Sequence, residues 1–185
     1  QQGMTRFVLM TGYLGEQIHE HFGTGSRWGW DIQYSHGPAD WDTGRRVVEA
    51  AGLLDDSFVF LYSDNFALVD LGVLADRHAA TGRSLTLTLK PKTGGNVRYS
   101  PQRDVTAYDP IRSAPGLDHV EIGYMLVERD ATLRMLEAVD GYPDIAFSDV
   151  LRAAAGVGEL GGIETGGAYY SVSDPTRLEL TRDYF

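Results

Sequence analysis

The sequence predicts an α/β fold built on a parallel sheet that is covered on both faces. Two observations carry this expectation. From residue 6 to 63, apolar strands and amphipathic helices alternate as βαβαβ, and the third strand, "SFVFLYS" (57–63), is apolar throughout, as a strand buried between two helical layers requires. After residue 90 the rhythm changes to short β segments without helices between them.

The elements follow in order. "RFVLMTG" (6–12) is an apolar run ending in glycine, and "LGEQIHEHF" (14–22) carries Leu14, Ile18 and Phe22 at i, i+4, i+8, a helical face. "WDIQYS" (30–35) alternates as a strand, and "TGRRVVEAAGLL" (43–54) presents Val47, Val48, Ala51 and Leu54 as a second helical face. "LVDLGVLADRHAATG" (68–82) reads as a helix with Gly82 as its C-terminal cap, and "SLTLTLK" (84–90) alternates as a strand. "NVRYS", "DVTAYD" and "VEIGYMLV" are short strands set apart by the turn-rich "KPKTGG" and "IRSAPGLDH". Helices return at "ATLRMLEAV" (131–139) and "FSDVLRAAAG" (147–156), and a strand at "ELGGIE". "SDPTRLELTRDYF" closes the chain as a helix with Ser173 or Asp174 as N-cap and Pro175 in first position.

With 185 residues, 43% of them hydrophobic, the chain reads as a single domain, 1–185. Sixteen basic against 26 acidic residues give a net charge of −10, which disfavours nucleic acid and anionic membranes as partners. An anionic small substrate then needs arginines, backbone N–H groups or a divalent cation, and magnesium is the natural candidate. Cysteine is absent, which removes disulfides and thiolate metal sites. No run of 18 apolar residues and no signal-peptide pattern is present, so a cytoplasmic protein is expected. The strand begins at once after "QQGMTR", so the chain is expected to be a piece of a longer one.

Asp64, in "FLYSDNF" (60–66), follows an apolar strand where ligands bind in open α/β sheets, beyond the carboxyl ends of the strands. A carboxylate there can hold a metal or a substrate hydroxyl; alternatively Asp64 or Asn65 caps the next turn. In "GPADWDTGRRVVEA" (37–50), Asp42 or Thr43 is placed to cap a helix whose first turn holds Gly44, Arg45 and Arg46. Backbone N–H groups and guanidinium groups at a helix start can receive a phosphate or sugar oxygens; the alternative is two arginines paired to local acids. In "VEIGYMLV" (120–127), alternation places Glu121 and Gly123 on one face, where a glutamate must meet a ligand, a cation, a donor or water. His19 and His21 lie about 200° apart on a helix and read as surface residues. His36, His78 and His119 form no zinc constellation. "GVGELG" (156–161) follows a helix and precedes a strand, the reverse of a dinucleotide-binding fingerprint.

Taken in order, "FVLMTGYLGEQI", "GPADWDTGRRV", "FVFLYSDNF", "VTAYDPIRSAPGLDHVEIGYML" and "AYYSVSDPTRLELTRDYF" resemble the sugar-phosphate nucleotidyltransferase family. The nearest subgroup is a bacterial one in which this domain is followed by a haloacid-dehalogenase-type phosphatase. The resemblance implies a Rossmann-like, mixed but mostly parallel sheet flanked by helices, of the nucleotide-diphospho-sugar transferase type. It implies a reaction in which a sugar 1-phosphate attacks the α-phosphate of a nucleoside triphosphate and releases pyrophosphate, with mannose- and heptose-type sugars as candidates. It makes Asp64 the magnesium aspartate, puts Gly12 and Tyr13 on the nucleotide side, and puts Asp42, Thr43 and Gly44 near the base and sugar. Asn65 joins the substrate-binding set beside Asp64. Glu121 and Gly123 match the sugar-facing strand, where many members carry asparagine and glycine, and Arg45 and Arg46 are the candidate anion-binding catalytic residues.

Three departures stand out. The glycine-rich triphosphate signature belongs before residue 1, a second magnesium aspartate falls on Ser171, and the usual Glu-Lys-Pro reads Tyr108-Asp109-Pro110. The expected function is therefore nucleotidyl transfer, with a catalytically impaired sugar-nucleotide-binding or regulatory module as the alternative. The apolar "YYSV" segment leaves room for homo-oligomerisation.

Overall fold

The structure is a computed structural model that describes residues 2–102 and 104–182. In chain order its elements are β1 (Arg6–Thr11), α1 (Gly15–Phe22), β2 (Asp31–His36), α2 (Thr43–Ala50), β3 (Ser57–Leu61), β4 (Asn65–Ala67), α3 (Leu71–Thr81), β5 (Leu85–Pro91), β6 (Val97–Ser100) and β7 (Asp104–Tyr108). β8 (His119–Glu128), α4 (Arg129–Glu137), α5 (Phe147–Val157), β9 (Leu160–Glu164), β10 (Tyr169–Ser171) and α6 (Pro175–Arg182) complete it. They divide into two compact units, Gln1–Ser57 with Arg129–Ala153, and Phe58–Glu128 with Ala154–Phe185.

In the first unit β1 and β2 run parallel, from Arg6 opposite Asp31 to Thr11 opposite His36, as a βαβ connection requires. Val47 and Ala50 of α2, Leu136 of α4 and Phe147, Val150 and Leu151 of α5 are buried. Close approach of α2 depends on Gly44. Its N–H donates to the Ile145 carbonyl at 2.9 Å, and a Cβ at residue 44 would lie 2.5 Å from that oxygen. The helix expected over 43–54 is α-helical to Ala50 and then tightens into a 3₁₀ turn, Ala51–Leu53.

In the second unit the main sheet has the order β7-β6-β8-β5-β9, with β3 also pairing β8. β4 and β10 form a separate antiparallel ribbon. Helices flank a mixed sheet, as expected, but its pairing is less parallel than the mostly parallel sheet the resemblance implies. β5 pairs β9 in parallel, whereas β5–β8, β6–β7 and β6–β8 are antiparallel. The reason is the helix-free stretch 91–119, whose short connections permit only antiparallel neighbours.

The alternation of β5 is also misleading. Both of its faces are buried, Leu85, Leu87 and Leu89 on one and Thr86 and Thr88 on the other. The threonine hydroxyls remain bonded: Thr86 Oγ1 to His78 Nδ1 at 2.8 Å, and Thr88 Oγ1 to the Tyr124 carbonyl at 2.7 Å. α3 starts at Leu71, later than its periodicity suggests, because 65–67 form β4 and Asp70 caps the helix by accepting from Gly72 and Val73 N–H at 2.9 and 3.1 Å. It ends on Gly82 at φ +60°, as expected. α6 begins at Pro175, with Asp174 accepting from Arg177 N–H at 2.9 Å.

A buried charge locks α3 to β7 and β9. Asp104 accepts from Gly162 N–H at 2.7 Å and pairs with Arg77 at 3.2 Å, while Arg77 Nε donates to the Gly162 carbonyl at 3.0 Å. Removing the carboxylate strands a guanidinium and an amide donor in a poorly solvated place. Asp104→Ala is therefore expected to lower stability by about 2–4 kcal/mol, read as a fall in urea midpoint; a change within about 0.5 kcal/mol would show the lock to be idle.

Candidate active site

β3 stops at Leu61, and Asp64 sits in the turn that follows rather than on the strand itself. The turn is closed by Asn65 N–H donating to the Tyr62 carbonyl at 3.1 Å, with serine and aspartate at its centre as turn chemistry favours. β3 is also less covered than its composition suggests, since Phe60 is buried while Leu61 is 45% exposed. The Asp64 carbonyl accepts from Val172 N–H at 2.7 Å, which ties the turn to the end of β10. Its carboxylate is exposed and has no hydrogen bond or ion pair among the described residues.

β10 brings Ser171 directly across from Asn65, Tyr170 from Phe66 and Tyr169 from Ala67. The position where the resemblance expects a second aspartate is thus one residue along from Asp64. Asn65 is held from two sides: the Tyr124 hydroxyl donates to its carbonyl at 3.1 Å, and the Tyr169 hydroxyl to its Oδ1 at 3.3 Å.

Glu121 and Gly123 meet at a bulge. Between Leu87 and Leu89 of β5, β8 passes from Met125 to Glu121, so the two-residue step on one strand faces a four-residue step on the other. Flat-strand alternation is not what unites the pair. Gly123 turns to φ +79°, and its N–H donates to Glu121 Oε2 at 2.9 Å. Its carbonyl accepts from Tyr62 N–H at 3.0 Å. A Cβ at 123 would run into the Asn65 side-chain amide and lie 3.1 Å from the Tyr62 ring. Glycine is needed both for the backbone angle and for the space.

Burial pushes the Glu121 carboxyl above the usual glutamate range, the Gly123 N–H works against that shift, and the charge of Asp64 adds to it. Burial likewise raises the phenols of Tyr62 and Tyr169, and both Glu121 and Asp64 contribute. These two tyrosines are site residues that the sequence reading missed; their signal was the aromatic flanking of Asp64 and Ser171. Asn96 was also missed. It is buried, and its Oδ1 accepts from Glu121 N–H at 3.0 Å.

The remaining expected residues lie in the first unit. Asp42 is the N-cap of α2 and accepts from Thr43 N–H at 3.0 Å. Thr43 Oγ1 accepts from Phe147 N–H at 2.8 Å, so Thr43 and Gly44 serve to dock the 145–147 segment. Arg45 pairs with Asp144 at 2.6 Å and lies over the Trp41 ring, 4.4 Å from its centroid. Arg46 donates to the carbonyls of Thr11 and Pro38 at 2.9 and 2.8 Å. Gly12 is pressed by that guanidinium, since a Cβ there would be 2.5 Å from Arg46 Nη2. Tyr13 is 78% exposed.

The Tyr108-Asp109-Pro110 segment is a rigid loop. The Asp109 carboxylate accepts from the N–H groups of Ala114, Ser113 and Ile111 at 2.8, 2.7 and 3.1 Å. These bonds, that of Ala114 foremost, hold Asp109 below the usual carboxylate range. Among the described residues no group of three or more His, Cys, Asp or Glu side chains is arranged to hold a metal ion. The donors near Asp64 therefore do not fit an all-protein cage. They do fit magnesium, which binds through one or two carboxylates and takes its other ligands from phosphates and water.

No family model matches the chain. Over 92 residues, 49% of this chain, it is 34% identical to the D-glycero-α-D-manno-heptose 1-phosphate guanylyltransferase of Aneurinibacillus thermoaerophilus, and the match spans 40% of that enzyme. The structure superposes on UDP-glucose pyrophosphorylase complexed with UDP-glucose with a TM-score of 0.76 over 99% of this chain and 81% of the other, at 13% identity. It superposes on HddC from Yersinia pseudotuberculosis with a TM-score of 0.72 over 100% of this chain and 80% of the other, at 12% identity. The fold is that of the nucleotide-diphospho-sugar transferases.

Two outcomes follow from the bulge. Gly123→Ala is expected to lower stability by about 1–3 kcal/mol and to loosen the Tyr62–Asn65 turn, seen as faster amide exchange at Asn65. Because Glu121 has a raised pKa in the fold, its contribution is fully present below the ordinary glutamate value and is lost as pH rises through the raised one. In urea titrations without divalent cation, the Glu121 contribution to wild-type stability is expected to be lost as pH rises above the ordinary glutamate value. Glu121→Gln should flatten that dependence, and parallel curves would refute it.

Proposed function

We propose that this chain is a sugar-1-phosphate nucleotidyltransferase domain that uses magnesium and makes a nucleoside-diphosphate sugar. The observation that carries the reading is the juxtaposition, on this fold, of the uncommitted Asp64 carboxylate with Glu121, Gly123 and Ser171. The 34% identity to a heptose 1-phosphate guanylyltransferase supports a guanine nucleotide and a heptose- or mannose-type sugar as the pair to test first. The "YYSV" segment keeps the phosphatase-fused subgroup as the finer placement. No described helix is long and apolar enough to cross a membrane.

In the reaction an oxygen of the sugar 1-phosphate forms a bond to the α-phosphorus of the triphosphate. The bond from that phosphorus to the bridging oxygen breaks, and the electron pair leaves with pyrophosphate. Little proton chemistry is asked of the protein; positioning and charge neutralisation carry the rate. Asp64, with its carboxylate otherwise unpaired, would hold magnesium, and the ion would supply charge neutralisation at the phosphates. The resemblance assigns Gly12 and Tyr13 to the nucleotide, and within the first unit Arg46 shapes their loop through the Thr11 and Pro38 carbonyls. Gly123 leaves backbone-close space on the sugar side, and Asn65 is oriented by Tyr124 and Tyr169.

A second reading, a sugar-nucleotide-binding module without turnover, is favoured by Ser171 in place of an acid and by the prior engagement of Arg45 with Asp144. One assay separates the two. With magnesium, GTP and a heptose or mannose 1-phosphate, the complete native protein is expected to release pyrophosphate, and Asp64→Asn to lower kcat at least about 100-fold. Equal turnover in the variant would remove Asp64 from the mechanism. Tight binding of the sugar nucleotide by calorimetry without any pyrophosphate release would establish the module.

A further inference from the structure

Ser171 presents an oddity of charge. Where the resemblance expects a second acid, β10 carries a neutral hydroxyl across from Asn65. On β8, where the same resemblance expects asparagine, the chain carries the acid Glu121. Both positions border the Asp64 turn: Ser171 lies across from Asn65, and Gly123, two residues from Glu121, accepts from Tyr62 N–H at 3.0 Å.

We propose that Glu121 is the second carboxylate of the magnesium site, supplying from β8 the negative charge that Ser171 does not supply from β10. The inference rests on the nucleotidyltransferase reading above and assigns a residue within it. Geometry supports it in three ways. Glu121 Oε2 is held by Gly123 N–H at 2.9 Å, which fixes the direction of the carboxylate and leaves Oε1 without a protein partner among the described residues. Neither Glu121 nor Asp64 forms an ion pair with any described Lys, Arg or His, although the charge of Arg112 reaches Glu121 from the 109–114 loop. The turn that carries Asp64 is bonded to β8 through Tyr62 N–H and the Gly123 carbonyl at 3.0 Å, two residues from Glu121, so the two acids stand on adjoining segments, and a divalent cation would offset the charge they gather there. Two carboxylates plus substrate phosphates is also the donor number that magnesium accepts.

Manganese is the probe, titrated alone into the protein and followed by paramagnetic resonance of the free ion, which reads binding without turnover. Asp64→Asn and Glu121→Gln are each expected to weaken manganese binding at least about tenfold. Gln keeps an acceptor for Gly123 N–H, so the bulge is retained and only charge is lost. Adding Ser171→Asp to Glu121→Gln is expected to restore affinity to within about threefold of wild type, because it moves the acid back across from Asn65. If Glu121→Gln binds manganese as the wild type does while Asp64→Asn does not, the inference falls and the magnesium role of Asp64 stands. If neither variant alters binding, or the wild type binds none, the metal part of the proposed function falls with it. Should Glu121→Gln fail to fold, Glu121→Asp serves: withdrawing the carboxylate by one methylene is expected to weaken manganese binding and Ser171→Asp to restore it, and either wild-type affinity in Glu121→Asp or a loss that Ser171→Asp does not restore overturns the assignment.

Discussion

The turn that carries Asp64 depends on one backbone irregularity of its neighbour, the bulge of β8 at Gly123. A ladder that inserts residues loses hydrogen bonds, and buried amides and carbonyls do not stay unbonded. Here three of the bulge's backbone groups find local partners. Gly123 N–H goes to Glu121, Gly123 C=O receives Tyr62, and Tyr124 C=O receives Thr88. These replacements are what hold the Tyr62–Asn65 turn against β8. Asp64 is therefore presented by a left-handed glycine on a neighbouring strand as much as by its own strand.

Electrostatics narrows the means by which such a chain can take an anionic substrate. The net charge is −10, and several of its guanidinium groups are already engaged: Arg45 with Asp144, Arg77 with Asp104, and Arg129 with Asp56 and Asp130. Arg46 serves two carbonyls. Committed arginines shape loops and helix starts; they offer less to a phosphate than an unpaired one does. Near Asp64 and Glu121 the groups left to meet phosphate charge are backbone N–H groups and Arg112, whose charge reaches Glu121; the cation proposed above would add to them.

Much of this was legible in the sequence, and the exceptions share a cause. Helices with clear caps and a periodic face, such as α3 with Gly82 and α6 with Asp174 and Pro175, came through because their signals are local. β4 and β10, three residues each, did not, because so short a strand has no period of its own and exists through its partner. The burial of Thr86 and Thr88 was hidden for a related reason: alternation reports polarity, and a threonine whose hydroxyl finds His78 or a carbonyl can be as buried as a leucine. At the site, Asp64, Glu121 and Gly123 stood out as residues, but the bulge that joins them depends on the register between β5 and β8. Periodicity within one strand does not contain that register. Arg45 and Arg46 showed the converse, since a helix start with two arginines suits an anion and suits Asp144 equally well.

The two roles open to Glu121 differ in the charge they demand. Accepting a hydrogen bond from a sugar hydroxyl needs an oxygen with a lone pair, which a neutral glutamine or asparagine side chain also provides. A metal needs the ionised form, and ionising the half-buried Glu121 costs free energy, chiefly through its own burial. A residue used for hydroxyls alone would bring that cost without return, whereas a residue used for a cation recovers it on binding. With one oxygen already fixed by Gly123, the remaining one can be aimed without the entropy of a free side chain. On the proposal that Glu121 holds a cation, the acid on β8 is accounted for by its charge, a demand that hydrogen bonding alone would not make.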